Sequence, residues 1–126
     1  MDLDTFCRQI KETYPEISAH ADKLYDDYWN RLVQTEFSSY SWFESLANAL
    51  NSEMKKKVAA DNYQALLETI SSEYEHGESG IMKAIDVAFV ENLFWQVNSD
   101  NARPYWEVIP KNLKGLYVGF HGQAPL

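Results

Sequence analysis

The tightest polar constellation in this chain is Glu73-Tyr-Glu-His-Gly-Glu78, a histidine set among three carboxylates. Carboxylates near an imidazole raise its pKa and poise it for proton transfer. His76 with Glu73 or Glu75 would then serve a small hydrolase as general acid or base. The same residues also read as the solvated end of a helix and its turn, because neighbours in a helical sequence do not face one another. That second reading is preferred. Asp22 and Asp26 stand one helical turn apart with Asp27 beside them, but no calcium-loop pattern follows, and a solvated face is expected. His20, His76 and His121 are not at metal-ligand spacing with each other or with a cysteine, and HExxH and CxxC are missing. There is no GxSxG elbow, and Gly115, Gly119 and Gly122 follow no strand that would make them a phosphate loop. Cys7 falls at apolar helical spacing, as a small core residue does. No catalytic residue, no metal and no cofactor is expected, and the chain is read as not an enzyme.

What the charged residues supply instead is a field. Asp61, Glu68, Glu73, Glu75, Glu78, Asp86, Glu91 and Asp100 face one base, Lys83, between Val58 and Ala102, so this block holds seven of the eight net negative charges. Such a field repels nucleic acid and anionic lipid and attracts a cationic protein surface. Lys55-Lys56-Lys57 is too short to make a nucleic-acid patch at an isoelectric point of about 4.7, and it suits the C-terminus of a helix. Trp42, Trp95 and Trp106 fall where one face of the ring should stay exposed. On a helix Glu91 and Trp95 stand one turn apart, an aromatic anchor beside a carboxylate.

The elements that must carry these residues are helical. Apolar positions Leu3, Phe6, Cys7 and Ile10 give a first helix capped by Asp2 or Asp4 and stopped by Pro15. A second helix is predicted from about Glu16 to Thr35, with Ile17, Ala21, Leu24, Tyr25, Tyr28 and Leu32 on one stripe, followed by a connector from Phe37 to Ser41. Ser41-Trp-Phe-Glu44 and Asp61-Asn-Tyr-Gln64 read as capping boxes for the third and fourth helices, and Gly77 closes the fourth. Ile81 to Val97 is apolar nearly all round and is expected to be the central helix. A short turn from Tyr105 to Ile109 and a last helix after Pro110 complete the chain, with a strand conceivable only from Leu116 to Phe120. The expected fold is all-α, about six helices in an antiparallel array or bundle, forming a single helical domain over 1–126. With 45% apolar residues, one cysteine, no leader-like N-terminus and no long apolar run, a soluble cytoplasmic protein is expected.

The stretch YQALLETISSEYEHGESGIMKAIDVAFVENLFWQV, from Tyr63 to Val97, has a helix ending in an acidic, glycine-marked turn. An apolar segment with Phe89-Val-Glu-Asn-Leu93 follows it. This resembles small all-helical immunity proteins of bacterial polymorphic-toxin and contact-dependent growth inhibition systems. The resemblance implies a cytoplasmic antidote that neutralises a cognate toxin domain, a basic nuclease in type, by binding alone. No membrane and no direct nucleic-acid contact is implied, and a monomer or weak dimer is expected. On this reading the toxin-binding surface uses Glu73, Glu75, Glu78, Asp86 and Glu91 for attraction, with Tyr74 and Trp95 as anchors. The rival from another class is an acidic helical adaptor or regulatory subunit with a non-toxin partner, which has the same charge map.

Overall fold

The computed structural model describes residues 1–29 and 36–126, and among them every regular element is helical. Helix α1 (Leu3–Thr13) begins where the Asp2 carboxylate accepts the Thr5 amide at 2.8 Å, and it turns Phe6, Cys7 and Ile10 inward. Pro15 has no amide to extend it and instead opens α2 (Pro15–Trp29) as a first-turn proline. The expected continuation to Thr35, with Leu32, lies outside the described residues.

Helix α3 (Ser39–Lys55) starts one turn before the expected capping box. Ser38 is its cap, accepting the Ser41 amide at 3.2 Å, so Ser41 and Glu44 lie inside the helix and the connector is shorter than predicted. Two contacts fix this early start: the Ser38 amide donates to the Tyr25 hydroxyl at 2.8 Å, and the Ser39 hydroxyl donates to Asp4 at 2.6 Å. Helix α3, not the 81–97 stretch, is the central element. Trp42, Phe43, Leu46, Ala47, Ala49, Leu50 and Met54 are all buried, and the helix packs on α1, α2 and the segments that follow it. Its periodicity is blurred because Ser39, Ser45 and Asn51 occupy buried positions too.

A short 3₁₀ turn (Ala60–Tyr63) leads into α4 (Gln64–His76), which has no side-chain cap; Asp61 lies within the turn and does not form the predicted box. Gly77 ends α4 as expected, but with extended backbone rather than a left-handed one. Its requirement is space, since a Cβ there would run into the Glu73 carbonyl oxygen, which accepts the Gly77 amide at 2.6 Å. Helix α5 (Ser79–Lys83) then widens into a π-helical turn (Ala84–Phe89) and tightens into a 3₁₀ turn (Val90–Asn92). This change of pitch buries Ile81, Ala84, Ile85, Ala88, Phe89 and Val90 while leaving Met82 and Val87 outside. The predicted helix through Val97 therefore stops at Asn92. Helices α6 (Ser99–Val108) and α7 (Lys111–His121) complete the fold: α6, capped by the Asn98 side chain, is longer than predicted, while α7 follows Pro110 as expected, with Leu116 to Phe120 helical and not a strand. One core cluster runs from Phe6 to Tyr117 and draws on all these segments. Among the described residues, no helix is long and apolar enough to cross a membrane.

Tyrosines tie the middle of the chain to α6. The buried Tyr105 hydroxyl donates to the Val58 carbonyl at 2.7 Å, its ring stacks on Tyr63 at 6.1 Å, and Tyr63 donates to Glu53 at 2.9 Å. Burial, helped by the Glu53 charge, pushes the Tyr105 phenol up to about 12 from 10.0. Tyr63 rises for the same reason, with its hydrogen bond to Glu53 adding to burial. A raised folded-state pKa favours the neutral phenol, so the stability this provides is whole below pH 10 and lost as pH climbs toward about 12. Tyr105→Phe should cost about 1 kcal/mol at neutral pH, because the Val58 carbonyl loses its donor. It should also make the alkaline loss of stability shallower than in the parent, as read by denaturant unfolding across that pH range.

Candidate functional site

Asn51 lies on the inner side of α3, 3% exposed, with its amide aimed at the chain just after Asn92. Its oxygen accepts the Phe94 amide at 2.7 Å, and its nitrogen donates to the Asn92 carbonyl at 2.8 Å. One side chain thereby replaces the helical partners those backbone groups gave up when the helix stopped. Asn92 closes the other end by donating to the Ala88 carbonyl at 2.8 Å, within the widened turn. Held this way, Phe94 takes a left-handed φ of 67° and is still buried, meeting Trp106 at 5.8 Å and Tyr117 at 5.4 Å between ring centres. Left-handed backbone in a residue with a Cβ costs roughly 1 kcal/mol, and such strain concentrates where a chain must present a group.

The group presented is Trp95. It occupies a corner of a tight turn in which the Val97 amide donates to the Phe94 carbonyl at 3.2 Å, with Gln96 also left-handed at φ 55°. The indole is 60% exposed and stands at a groove of about 460 Å³ between α2 and α3. From α2 the groove is lined by Leu24, Asp27 and Tyr28. From α3 it is lined by Ser41, Glu44, Ser45, Asn48 and, further along, Ser52 and Lys55. Glu44 links the groove to a second group. Tyr40, half-buried one turn earlier on α3, has its phenol pKa raised first by burial and then by the charges of Glu91, Glu44 and Asp86, which places three carboxylates around one ring.

The sequence-predicted residues therefore divide. Asp86 and Glu91 act together with Glu44 on the Tyr40 phenol, and Trp95 shares the groove with Glu44, although Trp95 is carried by the turn and not by a helix shared with Glu91. The Glu73–Glu78 turn is not the centre of this surface, and its acids diverge. Glu73 lines a shallow depression with Tyr14 and Thr69. Glu75 lines another with Ser71 and Lys111 and accepts from Asn112 at 3.0 Å, so it helps seat α7 on α4. Glu78 lies 3.4 Å from the Met1 amine. Tyr74 is half-buried, with part of its ring packed against the core. Of the tryptophans expected to show a face, Trp42 is fully buried, donating to Asp22 at 2.8 Å, and Trp106 is half-buried.

Ser45 and Asn51 escaped the sequence reading, which had assigned Asp27 to a solvated face and Glu44 to a helix cap. Asn51 did carry a signal, an amide one residue past Leu50 on an otherwise apolar stripe. Asp27 and Glu44 lie outside the acidic block and meet only through the antiparallel pairing of α2 and α3. His20, weighed in the sequence only as a metal ligand, has its Nδ1 3.7 Å from Glu53. Glu53 is at the same time bound by Tyr63 and within 3.9 Å of Lys56, so this cluster clasps α2, α3 and the 3₁₀ turn together. His76 makes no hydrogen bond or ion pair among the described residues, and none of these holds a group of three metal-ligating side chains.

Residues 7–122 match the family DUF7674, described as a domain of unknown function, and the chain belongs to that family. No curated protein matches the chain, and no solved structure does.

Asn51→Ala should destabilise the fold by about 3 kcal/mol, because two backbone groups lose their partners in a buried place. Trp95→Ala, an exposed truncation, should stay within about 0.5 kcal/mol of the parent. Urea unfolding of both variants measures this. A cost below about 1 kcal/mol for Asn51→Ala would mean that the packing of Phe94 alone holds the turn.

Proposed function

We propose that this DUF7674 domain is a non-catalytic binding protein whose ligand is a cationic protein, and that it serves in the cytoplasm as the antidote to a toxin of that kind, a nuclease by type. The single observation that carries the binding reading is Trp95, a large ring held out by a strained, clamped turn over a groove whose rim bears Asp27 and Glu44. Exposing so much apolar surface and holding it rigid is unfavourable for the free protein and useful to a complex. Aromatic anchors in fixed positions dominate binding energy, and a pre-set turn loses little entropy on association. The surrounding carboxylates of Glu44, Asp86 and Glu91 add attraction at a distance, which accelerates encounter with a basic surface. The toxin assignment rests on the resemblance of the Tyr63 to Val97 stretch to helical immunity proteins. A nuclease must keep a cationic cleft for its own substrate, and an acidic partner fits that cleft.

Two sets of substitutions separate the groove surface from the turn after α4. Replacing Glu44, Asp86 and Glu91 by their amides should slow association with a cognate cationic toxin domain by about tenfold at low salt and flatten its salt dependence. Replacing Glu73, Glu75 and Glu78 in the same way should have the smaller effect. Stopped-flow association over a range of ionic strength gives the rates, and rescue of growth on co-expression gives the biological outcome. A parent protein that neither binds nor rescues would remove the antidote reading.

A further inference from the structure

The groove beside Trp95 has a shape and chemistry that single out one kind of side chain. Its volume of about 460 Å³ lies within the range of sites that take a defined ligand group. The Trp95 ring offers a flat aromatic face, and Asp27 from α2 and Glu44 from α3 place carboxylates on opposite walls. Neither acid is in an ion pair among the described residues, unlike Asp22 and Glu53 elsewhere on the same two helices. Ser45 lines the groove next to Glu44 on the α3 stripe. Ser45 is 8% exposed and has no protein hydrogen-bond partner among the described residues, so its hydroxyl is left to solvent or to a ligand in the groove.

We propose that this groove is the seat of an arginine side chain of the partner protein, its guanidinium lying on the Trp95 indole and donating to Asp27 and Glu44. The proposal rests on the reading of the chain as a binder of a cationic protein and specifies the contact at its centre. Charge complementarity selects a cation, and the geometry selects arginine over lysine. A guanidinium is planar, is weakly hydrated on its faces and carries donors around its edge. It can stack on an indole while serving two carboxylates, whereas an ammonium is a compact, strongly hydrated point charge. Lys55 closes the other end of the groove, eleven residues beyond Glu44 and so roughly 16 Å along α3. Its like charge rejects a second cation there, so the groove takes one arginine and fixes the direction in which the partner's chain crosses it.

Titrating isotope-labelled protein with the peptide acetyl-Gly-Arg-Gly-amide, followed by NMR, tests this directly, with the citrulline and lysine peptides as comparators. The arginine peptide should move the Trp95 indole N–H and the amides of residues 41–48. It should bind about tenfold more tightly than the uncharged citrulline peptide and measurably more tightly than the lysine peptide. Trp95→Ala and Glu44→Gln should each weaken it by about fivefold with the amide spectrum otherwise unchanged, which keeps loss of fold separate from loss of the seat. Equal shifts from the citrulline peptide would overturn the proposal by making the groove an apolar seat. Arginine and lysine peptides that bind alike, with shifts as large at Glu73 to Glu78, would overturn the seat but leave the cationic-partner reading intact. If no cationic peptide bound anywhere, both would fail.

Discussion

The side-chain amide of Asn51 is the interaction on which the rest of this architecture turns. It occupies a position in α3 that the pattern of the helix reserves for an apolar group, and its two short hydrogen bonds go to a backbone that has just left helical geometry. Buried polar groups are favourable only when every member finds a partner, and here that condition is met by a single register of the 92–94 chain against α3. The amide therefore specifies a geometry as much as it stabilises one. From it follow the burial of Phe94, the aromatic cluster with Trp106 and Tyr117, and the outward pose of Trp95.

The side of α3 that carries Asn51 has a second role. The helix is buried on nearly every face by α1, α2 and the 79–92 segment, yet one narrow stripe from Ser41 to Lys55 floors the groove. Core and binding surface are thus built on one rigid element, which is the most reliable way to keep a site's geometry. The widened turn at Ala84–Phe89 serves the same arrangement. By changing pitch it lets the chain keep apolar contact with α3 while bringing Asp86 and Glu91 around to Tyr40.

Much of the fold was legible in the sequence because it depends on local signals. Asp2, Pro15 and Gly77 mark ends of helices through their own backbone chemistry, and the apolar spacing of α1 and α4 shows directly which side is inward. The central helix was misplaced for a physical reason. An apolar run from Ile81 to Val97 is what a two-sided helix shows, but it is also what a segment shows when its pitch changes and its buried face rotates. The polar residues within α3 hid the better candidate, since the partners that satisfy them lie far along the chain. The candidate site was legible only in part. Charge counted along the sequence found Asp86 and Glu91 but also collected Glu75, which seats α7. Glu44 and Asp27 become neighbours of Trp95 only after three separate elements pack.

The rim of the groove has one more property. Asp27, Glu44 and Trp95 are exposed and lend almost nothing to the core, while Asn51 and the rings beneath them are buried. Recognition is thereby uncoupled from folding. Exchanging those three side chains would redirect the domain toward a different partner at little cost in stability, since solvent-facing substitutions are usually close to neutral. A scaffold arranged in this way can follow a changing target by altering its rim while the framework beneath keeps one shape.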